Sequence, residues 1–205
     1  MKRAATVLLV LVAFVLASCA GTANYPISLS YQPQAQSVKT GSASVKVALF
    51  ADKRSSADKR VIGTKEGGAQ FMALVEGPAV TLSKAMAEYL KNSGFSVDSI
   101  NEEWDGDLRS LRPGQGDILI GGTLDELALN VKGNFLKTEY DCSVKLTLSI
   151  AAPRTGELLH REKFEVSTSY VTVSFSRDKA EELINKALAE AVERGLANID
   201  KYIKK

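Results

Sequence analysis

Between Tyr140 and Ile150 the chain alternates without a break. Tyr140, Cys142, Val144, Leu146, Leu148 and Ile150 occupy one phase; Asp141, Ser143, Lys145, Thr147 and Ser149 occupy the other. Successive side chains of a strand point to opposite faces, so this period of two specifies a strand with one apolar and one wet face. Such a strand belongs in a sheet packed on one side only, which is the habit of antiparallel sheets. The rest of the chain must supply its neighbours and its cover.

The neighbours can be read on both sides. Asp117 to Lys132 is a long strand in which Ile118, Ile120 and Leu124 share one phase and Leu127, Leu129 and Val131 the other. The slip near Asp125-Glu126 predicts a bulge or bend. Pro153-Arg154-Thr155-Gly156 forms a turn, and Glu157 to about Val173 returns as another strand. Upstream, Val45 to Phe50 is a strand, and Val61–Lys65 and Ala69–Val75 flank Glu66-Gly67-Gly68 as a hairpin. Ile27, Leu29 and Tyr31 alternate with polar residues as a short edge strand, between a free tether (Ala20 to Tyr25) and linker-like composition from Gln34 to Ser44.

Two helices supply the cover. Gly77-Pro78 opens the first, whose apolar side is Val80, Leu82, Met86, Tyr89 and Leu90, and Gly94 stops it. Phe95 to Ile100 is a strand, so strand, helix and strand predict one parallel pair through a right-handed crossover. Asn101 to Gly116 is an exposed acidic loop. Ser176 caps the second helix, where Ala180, Leu183, Ile184, Ala187, Leu188, Ala191, Val192, Leu196, Ile199 and Ile203 form one stripe. The expected fold is α+β: a two-layer sandwich of a mostly antiparallel sheet, one parallel pair through a βαβ unit, and two helices on one face.

The N-terminus has a different character. Lys2 and Arg3 precede a nine-residue apolar run, Val7 to Val15, which falls short of the ~20 residues that span a bilayer and matches the core of a signal peptide. Leu16, Ala17, Ser18 and Cys19 close it, and this order resembles the bacterial lipoprotein lipobox, with Leu16, Ala17 and Ser18 as the cleavage motif and Cys19 as the lipidated residue. The resemblance implies three regions: a signal peptide over 1–18, a lipidated N-terminus and tether over 19–44, and one periplasm-facing α+β domain over 45–205. Ala20, not Asp, follows Cys19, which by resemblance to enterobacterial lipoproteins implies sorting to the outer membrane rather than retention at the inner one.

Without Lys2 and Arg3 the chain holds 24 basic and 24 acidic residues. A neutral protein has no broad electrostatic reason to seek nucleic acid or anionic lipid. With Cys19 acylated, Cys142 has no partner for a disulfide, and its place in the apolar phase predicts a buried thiol.

Candidate chemistry is thin. His160, the one histidine, sits beside Arg161, Glu162 and Lys163, with no partner at metal-ligand spacing. Gly114-Gln115-Gly116 precedes a strand, where a dinucleotide loop must open a helix. Glu102, Glu103, Asp105 and Asp107 around Trp104 admit a cation site, a sugar-stacking tryptophan or simply a solvated loop. No catalytic residue, metal ligand or cofactor is expected. Asp52 and Arg54 form either a carboxylate–guanidinium clamp for a partner or a salt bridge fixing the loop, and Lys59 and Arg60 extend the same charged run, in which Ala-Asp-Lys-Arg occurs twice.

The layout as a whole resembles the YajG-like family of bacterial lipoproteins. The matching features are the lipobox at Cys19, the strand Val45 to Phe50 with Asp52-Lys53-Arg54 after it, Val61-Ile62-Gly63, the helix ending at Gly94-Phe95, Gly121-Gly122-Thr123-Leu124, the Gly156 turn and the terminal amphipathic helix. That resemblance implies an envelope lipoprotein without an assigned activity. A similar layout is seen in auxiliary lipoproteins of lipid-transporting ABC systems, which predicts instead an apolar groove between helices and sheet. The leading expectation is a non-enzymatic binding or assembly module, held to the membrane by lipid on Cys19, with an envelope protein as partner and Asp52 to Arg60 as its working surface.

Overall fold

The computed structural model describes residues 23–32, 44–112, 116–133 and 136–203. Leu16, Ala17, Ser18 and Cys19, most of the linker after Gln32, and Gly114-Gln115 lie outside these residues. No helix among the described residues is long and apolar enough to cross a membrane.

Among the described residues nine strands form one sheet: β1 (Asn24–Ile27), β2 (Ser44–Leu49), β3 (Ala51–Asp52), β4 (Val61–Lys65), β5 (Gln70–Ala73), β6 (Ser96–Glu103), β7 (Ile118–Gly133), β8 (Thr138–Ala152) and β9 (Glu157–Thr172). The helices are α1 (Pro78–Asn92), α2 (Arg177–Leu196) and the short α3 (Asp200–Ile203). Local readings hold well. The β4–β5 hairpin, the bulge between Leu124 and Glu126, the Pro78 start of α1 and the Ser176 cap of α2 are all present.

The expected sandwich is not what they build. The sheet is curled into a half-barrel, and five of its eight strand pairings are parallel. The cause is β7. On one edge it pairs along its length with β8, antiparallel. On the other it hosts β2, β3 and β4 in succession, all parallel to it: Val45 opposite Ile118, Ala51 opposite Thr123, Gly63 opposite Leu129. One long strand thus replaces a stack of short antiparallel neighbours. The predicted crossover fails for the same reason. The strands either side of α1 are not neighbours, because β5 lies between β1 and β4 while β6 pairs with β2 at the far edge.

Two glycines permit these close pairings. Gly63 has φ +156° and Gly122 φ +143°; a Cβ on either would stand 1.8 Å from a main-chain oxygen, of Leu129 and Thr147 respectively. No side chain fits at such a distance, so only glycine lets the strands close there.

The helices cover one face. Leu82, Met86 and Leu90 of α1 and Ile184, Leu188 and Val192 of α2 are fully buried against Leu124, Leu129, Val144 and Leu148 of the sheet. Each such side chain contributes roughly 1.5–3 kcal/mol by leaving water. The space between helices and sheet is therefore filled by side chains.

The opposite face is covered too at one end, against the expectation of a bare face and an exposed acidic loop. Ile118 and Ile120 point into the main core, while Leu119 between them points the other way and packs with Ala48, Ala151 and Trp104. Trp104 is 3% exposed. At the break between β2 and β3, Phe50 turns its N–H away to donate to Ser83 Oγ (2.9 Å). Trp104 fills the gap. Its N–H donates to Leu49 O (3.0 Å) and its carbonyl accepts from Gly122 N–H (2.8 Å). Gly121 carries no Cβ because the indole and the main chain of Trp104 lie within 3 Å of where it would be.

The N-terminal segment is part of this body. Asn24 and Tyr25, read as tether, belong to β1, which pairs with β5. Past β1 the chain crosses the helices as a strap. Ser28 N–H donates to Glu181 Oε2 (2.9 Å), Ser30 N–H to Asn185 Oδ1 (3.0 Å), and Asn185 Nδ2 back to Ser28 O (2.9 Å).

Candidate functional site

The charged loop projects from the edge of β7 where that strand passes from β3 to β4. From Ala51 to Gly63 the chain takes twelve steps while β7 takes six, Thr123 to Leu129, so the excess is pushed out as a loop. Lys53 N–H donates to Leu124 O (3.0 Å) and marks where the excursion begins.

Arg54 lies inside the loop and holds it together. It is 5% exposed. Its Nε and Nη2 donate to Asp52 Oδ1 (3.0 Å) and Oδ2 (2.7 Å), its Nη1 donates to Val61 O (3.0 Å), and Nη2 also donates to Lys59 O. A planar fork is suited to spanning both oxygens of one carboxylate. Lys59 Nζ lies 3.7 Å from Asp52 Oδ1 and donates to Arg54 O. Burial acts to raise the Asp52 carboxyl, but hydrogen bonds and charge from Arg54, with Lys59 behind them, outweigh it and hold the group below the usual range.

Of the four residues singled out in this run, the structure brings Asp52, Arg54 and Lys59 together as the loop's internal staple. Arg60 points outward, 65% exposed, and pairs with Asp58 at 3.3 Å. Lys53 faces Asp105 at 3.8 Å. What the loop presents to a partner is thus Lys53, Asp58 and Arg60 on a main chain already fixed.

The other candidates are engaged elsewhere. Around Trp104, Asp107 takes a bidentate contact from Arg109, which pulls its carboxyl down to about 2, and Glu102 pairs with Arg112 at 3.7 Å. Trp104 Nε1 donates to Asp107 O (3.0 Å), so the ring is a structural plug and not a surface platform. The neighbouring glycines Gly121 and Gly122 were the sequence signal for that close approach. His160 stacks on Tyr202 at 4.6 Å, with Nδ1 3.1 Å from the Tyr202 hydroxyl and Nε2 3.1 Å from Glu162 Oε2. Cys142 is buried in β8, where burial, then Asp141, pushes its thiol up to about 12. Among the described residues no group of three or more His, Cys, Asp or Glu could hold a metal ion.

No family model and no curated protein matches this chain. Solved structures do. Protein XCC0632 from Xanthomonas campestris, of the DUF330 family, superposes at TM-score 0.58 with 11% identity, over 88% of this chain and 97% of that one. At that identity the likeness shows a shared fold. A putative neuraminyllactose-binding hemagglutinin homolog from Helicobacter pylori matches over 87% of this chain and 97% of its own, with 13% identity and TM-score 0.48.

Proposed function

We propose that this chain is a non-enzymatic lipoprotein of the bacterial envelope, YajG-like in kind. Lipid on Cys19 anchors it to the outer membrane facing the periplasm, and it acts as a binding or assembly module for an envelope protein. The observation that carries the reading is the loop from Asp52 to Arg60. A buried Arg54 fixes its main chain in advance, so a partner meets Lys53, Asp58 and Arg60 without the cost of ordering the loop's main chain. The lipid supplies the other half of the mechanism. Confining the domain to one surface raises its effective concentration for partners there, with no added contact. The transport-accessory reading expects an apolar groove between helices and sheet; that space is occupied by Leu82, Met86, Leu188 and Leu148, which favours the module.

A photo-crosslinking residue at Arg60 in the full chain, in cells, tests the surface. The expected result is a discrete crosslinked partner, lost when Asp52→Ala and Arg54→Ala release the loop. Crosslinks unchanged in that double variant would remove the loop from consideration. Cys19→Ser is expected to abolish incorporation of radioactive palmitate, and retained label would overturn the anchor.

A further inference from the structure

One end of the sheet collects both the start of the described chain and a corner of apolar side chains. Register places there the last residues of β4, β7 and β9 and the first of β1, β5 and β8: Lys65 opposite Val131, Gly133 opposite Thr138, Thr138 opposite Thr172, Asn24 opposite Gln70. Gln70 N–H donates to Ala23 O (2.9 Å), which pins Ala23 at this end. At the same end Leu136 is 68% exposed, Val171 54% and Val173 76%, with Tyr170 beside them at 40%. Val171, opposite Glu139, stands on the face away from the core, and Val173, just past the end of β9, lies at the strand ends beside Lys65, Gly133 and Phe175.

The chain outside the structure limits what can cover this corner. Cys19 and Ala23 are four residues apart, and an extended chain covers at most ~3.6 Å per residue, so the sheet end stands no more than about 14 Å from an acylated Cys19. Each headgroup layer is about 5–7 Å deep, so this reach keeps the sheet end close to the membrane surface and allows it to touch. Charge at this end is mixed: Lys65, Lys132 and Lys137 stand against Glu66 and Glu139, and Lys137 pairs with Glu139. Among the described residues at this end the charges are too mixed to form a basic patch that would select anionic lipid, so contact would come from apolar insertion.

We propose that Leu136, Val171 and Val173 rest in the interfacial zone of a phospholipid bilayer, with this end of the sheet against the membrane and the Pro153–Gly156 turn pointing away. The proposal rests on acylation of Cys19. It fixes the orientation of the domain, which the anchor alone does not.

The test uses the full lipidated chain in vesicles of phosphatidylethanolamine and phosphatidylglycerol carrying spin-labelled acyl chains. A polarity-sensitive fluorophore is placed on Val173→Cys or, as the control at the opposite end, Thr155→Cys; the buried Cys142 stays unlabelled. The expected result is a blue shift and loss of emission to the quencher at position 173, neither at 155, and no change when salt is raised or phosphatidylglycerol omitted. Mass spectrometry of the same preparation separates the two ways of failing. Protein without acyl chains would sink the anchor reading and this proposal with it. Acylated protein quenched equally at both positions, or at neither, would overturn the orientation alone, as would shielding at 173 that depends on protein concentration and not on lipid.

Discussion

Single residues carry more of this fold than their counts suggest. Arg54 ties Asp52, Lys59 and Val61 into one loop. Because the Asp52 carboxyl sits below its unfolded value near ~3.9, the folded state binds fewer protons there. The stability it contributes is present above that value and fades as pH falls through the folded one. Wild-type and Asp52→Asn proteins, compared by urea denaturation, should differ at pH 7, with the gap narrowing as pH falls below the ordinary carboxylate range; a gap independent of pH would mean the ionised carboxylate is not what matters. The Cys142 thiol is governed by burial instead. Burial raises it to about 12, so far less of it is thiolate at neutral pH than of an ordinary cysteine, and the thiolate is the reactive form. Native protein should resist a thiol-exchange reagent such as Ellman's, and unfolded protein should titrate promptly. The alternation that put Cys142 in the apolar phase made this legible in advance. The Asp52–Arg54 pair was legible only as an alternative, since two residues apart in sequence says nothing about which carbonyls will surround a guanidinium.

At the scale of elements, β7 and the segment after β6 decide the architecture. Most strands and helices could be located from periods of two and of 3.6, from the Pro78 start to the Ser176 cap, but β3 (Ala51–Asp52) fell in what read as a charged loop and β1 began inside what read as a tether. The helix read as continuous to Ile203 ends instead at Leu196 and resumes as α3, where Tyr202 reaches His160. The acidic stretch after β6 misled because its carboxylates are indeed solvated while its one tryptophan is not. Asp107 and Arg109 stay in water as Trp104 plugs the outer face over Leu119 and Gly121. Trp104→Ala leaves a cavity and should cost about 3–5 kcal/mol, read as a lowered urea midpoint with the slope unchanged. Because this is the only tryptophan, its own emission should shift to the red in step with unfolding by circular dichroism. A surface indole would show neither effect.

For the whole molecule, β1 is part of the sheet through its pairing with β5, and the strap Ser28 to Tyr31 lies across both helices. A chain starting at residue 23 should keep full stability. One starting at residue 44 loses the fully buried Ile27 together with the hydrogen bonds to Glu181 and Asn185. It should be weaker by about 3 kcal/mol or more, measured by the same denaturation; equal stability would make residues 23–32 a tether after all. The sequence alone determined the long strands, the two main helices and which face of each is apolar, because those properties repeat within a few residues. Only the tertiary structure decided that β2, β3 and β4 line one edge of β7 in parallel and that the sheet curls. Period-two alternation is the same whichever way a neighbour runs. The choice of neighbour is made by contacts between residues seventy positions apart, and by glycines whose purpose shows only when a carbonyl lies where a Cβ would be.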